Sequence, residues 1–119
     1  MDIHAWIEDD EDNLIDPYFF EYDLIKIINN CEGARCYEPL SLEKQKEVIN
    51  KSISLARSIY GNKVDERFFL YKFYKKPTYN NCFLNCLAYK KYSKKNCRIV
   101  IGKMGWRKKG SKEIFWEYG

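Results

Sequence analysis

The sequence contains one histidine and five cysteines, so it can build a thiol-based chemical site in only a few ways. A reactive thiolate needs a nearby imidazole as its base, and the imidazole needs a third group that fixes its tautomer. His4 is the only residue that can supply the imidazole, and Asp16 follows it after a short polar turn. Cys82 comes directly after two asparagines. Together these residues predict a nucleophile, a base and an orienting acid.

The base and the acid must be positioned by the first segment of the chain, which reads as a β-hairpin. Residues 3–8 and 14–19 are rich in apolar side chains, and residues 9–13 form a polar, acidic turn. If the turn centres near Asp10, His4 lies opposite Asp16. Side chains alternate between the two faces of a strand. The expected faces are therefore His4, Trp6, Leu14 and Asp16 on one side, and Ile3, Ile7 and Ile15 on the other.

The nucleophile must be positioned by a second segment, residues 82–89, whose apolar spacing predicts a buried helix. Asn80 and Asn81 offer capping side chains ahead of it, and Asn81 could also donate to an oxyanion. Cys82 would then lie in the first turn, where unpaired backbone N–H groups and the helix dipole favour a thiolate. Cys86, one turn later on the same face, is the alternative nucleophile. Cys82 is preferred because only the first turn lies at the positive end of the dipole.

The hairpin and the cysteine segment together resemble a known enzyme family. Residues 4–8 (HAWIE) followed by 14–17 (LIDP) resemble the H-x-W-x-E … D-P hairpin of the transglutaminase-like branch of the papain-like cysteine enzymes. Residues 78–88 are similar to the nucleophile helix of that group. Those families run in the order Cys, His, Asp, whereas this chain runs His4, Asp16, Cys82. The resemblance is therefore to a circularly permuted member.

The resemblance implies a permuted papain-like α+β fold, with an antiparallel sheet packed against two or three helices. It also implies a cysteine hydrolase or acyl transferase that acts on an amide or related acyl bond of a peptide or protein. Cys82 would attack the carbonyl, His4 would take and return the proton, and Asp16 would orient His4. Trp6 and Trp106 are candidate cleft walls, and Asn81 is a candidate substrate contact. No metal or organic cofactor is implied.

The other elements are predicted from local patterns. Ser41 and Gly61 are expected to begin and end a long helix, since apolar residues recur at helical spacing between them. Residues 20–30 fit a short helix or a strand, and residues 31–40 read as a loop. Strands are expected at 67–74, 98–103 and 113–118, with a basic turn through Gly105 and Gly110. In the permuted arrangement the last strand would pair beside the first, at the N-terminus.

Composition bounds the class of protein. The 119 residues, of which 45% are apolar and 17% aromatic, predict a single folded domain over 1–119. No apolar run approaches the roughly 20 residues that cross a bilayer, and the acidic start is unlike a secretory signal. The expected location is the cytosol, or a host's cytosol, with free thiols. A zinc site is the alternative use of the cysteines, but their spacing misses the usual paired knuckles.

Charge divides along the chain and supports a different function. Residues 1–23 carry nine acidic side chains and no Lys or Arg, whereas 90–112 carry ten basic side chains and no acid. Tyr89, Tyr92 and Trp106 interleave with these basic residues, a combination that suits nucleic acid. The alternative function is therefore a binding module for nucleic acid or a protein partner. The same asymmetry also arises if the two ends of the chain lie side by side in the fold. For His4 and Asp16, the alternative to a catalytic role is a structural polar pair on an ordinary hairpin, with Trp6 in the core.

Overall fold

The computed structural model describes residues 3–17, 33–78, 81–108, 110 and 112–118, with 33–35, 106, 108, 115, 117 and 118 described through their backbone only. Within these residues the chain is α+β, as predicted. A five-stranded antiparallel sheet is formed by β1 (His4–Asp9), β2 (Leu14–Ile15), β3 (Gly33–Pro39), β4 (Cys97–Lys108) and β5 (Ile114–Tyr118). The helices are α1 (Leu42–Tyr60), α2 (Tyr71–Lys75) and α3 (Cys82–Tyr92), with a 3-10 turn at Gly61–Asp65.

Strand β4 is the centre of the sheet because every other strand except β2 pairs with it. Its first half pairs with β1, so that Cys97 lies opposite Asp9 and Gly102 lies opposite His4. On the opposite edge its second half pairs with β3, from Gly102 to Lys108. Strand β5 pairs with the same second half of β4. The strand predicted at 98–103 is thus twice as long as expected and includes Gly105, and only Gly110 remains in the turn.

Helix α1 agrees with the prediction at both ends. The Ser41 hydroxyl accepts a hydrogen bond from the Lys44 N–H (3.2 Å), which is the N-cap interaction. Gly61 follows the last residue with φ of 60°, a conformation that glycine adopts without a steric penalty. Buried Gln45 ties the helix to the sheet, because it donates to the Leu40 carbonyl (2.8 Å) and accepts from the Ile101 N–H (3.1 Å).

Two predicted elements are wrong. Residues 33–39 are a strand and not a loop, because backbone pairing with β4 outweighs the turn tendency of Gly33 and Pro39. Proline is tolerated there because β3 is at an edge and Pro39 is its last residue. Residues 67–74 are not a strand. They form turns and helix α2, in which Phe69 and Phe73 are one helical turn apart and both buried.

Two apolar clusters lie on either side of α3. The first joins Ala5 and Ile7 of β1 to Ile101 of β4 through Phe83 and Cys86. The second joins Phe69 and Phe73 to Leu84 and Ala88, and thereby holds α2 against α3. The prediction for residues 20–30 lies outside the described residues. In the part of the chain that is described, no helix combines the length and apolarity needed to span a membrane.

Candidate functional site

The first hairpin brings His4 and Asp16 together, but in a different register from the one predicted. Ile7 lies opposite Ile15 and Glu8 opposite Leu14, a shift of two residues. A two-residue shift keeps every side chain on its expected face. His4 and Asp16 therefore remain neighbours, on a diagonal rather than directly across the hairpin. Ile3, Ile7 and Ile15 lie together in the first apolar cluster, as predicted.

The contact between the two side chains is short and buried. His4 Nε2 donates to Asp16 Oδ2 at 2.5 Å, and the two residues are 3% and 1% exposed. A buried hydrogen bond from an imidazole to a carboxylate fixes the ring orientation and places a proton on Nε2. The other ring nitrogen is thereby available as the basic one.

Cys82 is the first residue of α3, where the sequence predicts it. Its side chain is half-buried and lines the same groove as His4, close enough to raise the pKa of the imidazole. The backbone N–H groups of the first helical turn have no partner within the helix, and they lie at the positive end of the dipole. The structure thus brings together all three residues that the sequence nominated for the site.

The ionisation of His4 reflects these two neighbours. Burial lowers the pKa of His4, but the hydrogen bonds and charges of Asp16 and Cys82 outweigh burial and raise the pKa from 6.5 to about 9. An imidazole so placed is protonated at neutral pH.

Cys86 does not suit the role of nucleophile. It is fully buried within the first apolar cluster. Burial raises the pKa of the Cys86 thiol well above its usual value, so the thiolate is scarce there. The structure separates the two cysteines more clearly than the sequence did, because Cys82 is half-buried at the start of α3 whereas Cys86, one turn further along the same face, is fully enclosed.

Tyr37 of β3 is a residue that the sequence reading missed. Its hydroxyl donates to Asp16 Oδ2 at 3.0 Å, the same oxygen that His4 contacts. The Tyr37 ring also packs edge-on against Trp6, with centroids 5.0 Å apart. Tyr37 lies in the stretch misread as a loop. An aromatic residue in a short run between Gly33 and Pro39 was the available signal for an edge strand.

The structure gives different outcomes for the three expected substrate contacts, Trp6, Asn81 and Trp106. Trp6 is wholly buried and donates to Glu8 Oε2 (2.9 Å), so it is core and not a cleft wall. Asn81 precedes α3 as its N-cap residue, but its side chain does not cap the helix. The Asn81 amide instead donates to the Thr78 hydroxyl (2.8 Å). The side chain of Trp106 lies outside the described residues.

Asn85 has a structural role. Its side chain is 1% exposed and forms two hydrogen bonds with the backbone of Thr78, at 2.9 and 3.2 Å. These bonds hold the segment that enters α3. They thereby fix the position at which Cys82 begins the helix.

Cys82 lines two adjoining parts of an open groove between α1 and the start of α3. One part of the groove, the His4 lobe, has a volume of about 330 Å³. The other part, the Tyr60 lobe, has a volume of about 230 Å³. Four residues line both lobes, namely Ser52, Leu55, Cys82 and Phe83. Small-molecule sites usually have volumes of roughly 300–1,000 Å³, so the His4 lobe lies at the lower end of that range and the Tyr60 lobe lies just below it.

Metal binding has no comparable support. Within the described part of the chain, no three His, Cys, Asp or Glu side chains lie close enough to hold a metal ion. Cys36, Cys82, Cys86 and Cys97 are all free thiols. The residues assembled around Cys82 have a donor set suited to proton transfer and nucleophilic attack.

Comparison with known proteins gives no relative. No family model, curated protein or solved structure matches this chain. The site must therefore be interpreted from its own geometry.

Proposed function

We propose that this protein is a cysteine-dependent hydrolase or acyl transferase that acts on an amide or related acyl bond through Cys82, His4 and Asp16. One observation carries the proposal. The only imidazole of the sequence is held by a buried carboxylate, and it lines the same groove as the half-buried Cys82 thiol. This is the arrangement by which a thiol is activated and a leaving group protonated. The resemblance of the hairpin to transglutaminase-like enzymes agrees with it.

Each residue has a defined part in the proposed reaction. The Cys82 thiolate attacks the carbonyl carbon, and the backbone N–H groups at the start of α3 stabilise the oxyanion that forms. His4 gives its proton to the leaving amine, which departs as the thioester forms. His4 then takes a proton from water or an acceptor amine, which attacks the thioester and frees the sulfur. Asp16 keeps the imidazole oriented throughout. Free thiols at the site fit a reducing compartment such as the cytosol.

Selective alkylation tests the proposal without knowledge of the substrate. We expect iodoacetamide at neutral pH to modify Cys82 at least ten times faster than Cys97, with each site followed by peptide mass spectrometry. Cys97 is a suitable internal reference because its pKa is raised, mainly by burial. His4→Gln and Asp16→Asn should each slow the modification of Cys82 several-fold and leave Cys97 unchanged.

Circular dichroism of each variant separates lost reactivity from lost structure. His4 and Asp16 are both buried, so His4→Ala is a second, smaller variant in case the amide does not fit. If Cys82 reacts no faster than Cys97, or reacts equally fast in folded His4 variants, the proposed mechanism is wrong.

A second candidate function, binding of single-stranded nucleic acid, is favoured by a specific surface. The basic aromatic face consists of Arg67, Phe68, Tyr71, Lys75, Lys91 and Tyr92. Phe68 and Tyr71 are 65% and 42% exposed, although both are large and apolar. Tyr71 packs against Tyr92 at 5.3 Å, and cations lie 5.2 to 6.0 Å from the rings of this face. Residues 67–112 contain no acidic side chain.

Exposed rings among cations suit stacked bases and phosphates. We expect a fluorescent single-stranded oligonucleotide to bind with an affinity that falls steeply with salt. Phe68→Ser combined with Lys91→Glu should weaken binding more than tenfold, whereas Lys46→Glu on exposed α1 should have little effect. Cys82→Ser should bind normally. Equal weakening by the Lys46 and face variants would mean nonspecific attraction only.

A further inference from the structure

We infer that the Tyr60 lobe receives the acyl group of the substrate and selects an aliphatic one, whereas the His4 lobe receives the leaving group. The inference rests on the proposed function, because it assigns the two halves of the groove on either side of Cys82. It names a substrate class: an acyl compound whose carbonyl carries an aliphatic chain or an aliphatic side chain.

The two lobes adjoin one another because one stripe of helix α1 lines both. Lys44, Val48 and Lys51 face the His4 lobe, while Ala56 and Ile59 face the Tyr60 lobe. These positions follow the three- and four-residue spacing of a single helix face. Ser52 and Leu55 stand between the two sets and line both lobes. A bound chain can therefore extend past the sulfur in both directions.

The position of the imidazole assigns the lobes. His4 lines only the larger lobe, whereas Cys82 lines both. The group that protonates a leaving atom must lie on the side of the nucleophile where that atom departs. The leaving group therefore lies in the His4 lobe, and the acyl group extends into the Tyr60 lobe.

Both lobes are lined mainly by apolar side chains, and they differ in that charged side chains edge only the His4 lobe. Lys44, Glu47 and Lys51 edge the His4 lobe, where Glu47 pairs with Lys51 at 3.1 Å and with Lys44 at 3.5 Å. Polar groups suit a departing amine. Among the described residues, no charged side chain lines the Tyr60 lobe.

The aliphatic residues of the Tyr60 lobe are unusually exposed. Leu55 and Ile59 lie on α1 with 60% and 64% of their surface open to solvent. Ala56 of the same helix and Leu84 of α3 also line this lobe, and both are buried. Burying the exposed aliphatic surface against an aliphatic ligand is favourable, at about 25 cal/mol per Å². A charged acyl group would gain no ion pair from these walls.

Activated esters with one common leaving group isolate the acyl side. The Cys82 thiolate forms a thioester with the acyl carbon, the C–O bond breaks, and p-nitrophenolate leaves with the electron pair. Water then hydrolyses the thioester. We expect kcat/KM for p-nitrophenyl octanoate to exceed that for the acetate at least tenfold, since even one methylene is worth 10-fold or more in a fitted pocket. Esters of N-blocked leucine and glycine, compared in the same way, distinguish a side chain from a linear chain.

Variants of α1 test the location. Ile59→Ser should reduce the preference for the longer acyl group several-fold, measured as the ratio of kcat/KM for the octanoate ester to kcat/KM for the acetate ester. Ile53→Ser is the matched control, because Ile53 is an exposed aliphatic residue of the same helix that lines neither lobe. Val48→Ser, in the His4 lobe, should not change the preference between acyl groups.

The outcomes separate this inference from the proposed function. Failure of every ester to acylate Cys82, as judged by intact mass and by Cys82→Ser, would remove the proposed function itself. Acylation at equal rates with all acyl groups would overturn only the inference. A preference for long acyl groups that survives Ile59→Ser but is lost in Val48→Ser would reverse the assignment of the two lobes.

Discussion

The proposed chemistry depends on the His4 imidazole, and the ionisation of this ring can be measured directly. It is the only histidine, so its ring protons give one unambiguous signal in a proton NMR titration. We expect that signal to titrate near pH 9 rather than 6.5, because Asp16 and Cys82 together outweigh burial. Asp16→Asn and Cys82→Ser should each lower the pKa. A midpoint near 6.5 in the wild-type protein would mean that neither neighbour acts on the ring.

We expect Tyr37 to act as a positioning residue through Asp16, which accepts a hydrogen bond from its hydroxyl. Tyr37→Phe removes the hydroxyl that donates to Asp16 and leaves the ring packed against Trp6. We expect it to cost about 1 kcal/mol of stability, which is typical for one hydrogen bond. If the hydroxyl orients the pair, the His4 titration should also shift and alkylation of Cys82 should slow. A change in stability with both of these unaltered would leave Tyr37 a structural role only.

The sequence was most informative about residues whose partners are local. His4 and Asp16 were matched because a short turn joins them, and the two-residue error in register left their faces unchanged. Tyr37 reaches the same carboxylate from a distant strand, and no local pattern ties it to the hairpin. Trp6 was misassigned because a tryptophan beside a histidine is equally consistent with a cleft wall and with a core.

At the scale of elements, three strands approach one another closely at Gly102. A Cβ on Gly102 would lie 2.1 Å from the Glu38 carbonyl oxygen and 2.7 Å from the Trp6 ring. Gly102→Ala should therefore destabilise the protein by several kcal/mol, because backbone must move apart. Gly110→Ala is a useful comparison: no atom lies within 4 Å, and only its positive φ opposes alanine, at roughly 1–2 kcal/mol. Urea unfolding compares the two, and equal losses would contradict the crowding at Gly102.

Helices were predicted better than strands, for a physical reason. The residues that begin and end a helix are adjacent to it in the sequence, as Ser41 and Gly61 are for α1. Strand β3 exists because β4 pairs with it, and that pairing is invisible in the run from Gly33 to Pro39. The aromatic alternation of residues 67–74 predicted a strand, whereas in the structure Phe69 and Phe73 pack as helical neighbours.

At the scale of the whole molecule, the ion pair between His4 and Asp16 contributes to the stability of the fold within a definite pH range. The pKa of His4 is raised above its value of 6.5, so its contribution is complete below pH 6.5 and is lost as pH rises through about 9. The contribution is at most about 3 kcal/mol. Wild type should thus lose stability relative to His4→Gln between pH 6.5 and 9.5, as measured by urea unfolding. A constant difference between the two proteins across that range would contradict this linkage.

Ion pairs between the acidic and the basic parts of the chain explain part of the charge asymmetry of the sequence. Strand β1 pairs with β4, and Arg98 forms ion pairs with Glu8 at 2.8 Å and Asp12 at 3.4 Å. The expectation that the acidic and basic ends meet is confirmed, although the neighbour of β1 is β4 and not the last strand. These pairs are exposed, so each contributes at most about 1 kcal/mol.

Strands β5 and β1 follow one another along the same edge of β4, since Tyr118 lies opposite Met104 and His4 lies opposite Gly102. A short peptide that connects Tyr118 to Ile3 would make them one unbroken strand. If the polypeptide were then reopened in the exposed turn at Gly61–Asp65, synthesis would deliver the sulfur first, then the imidazole, then the carboxylate. The same groove would be assembled in the linear order found in the enzymes that the hairpin resembles, from a gene rearranged at a single junction.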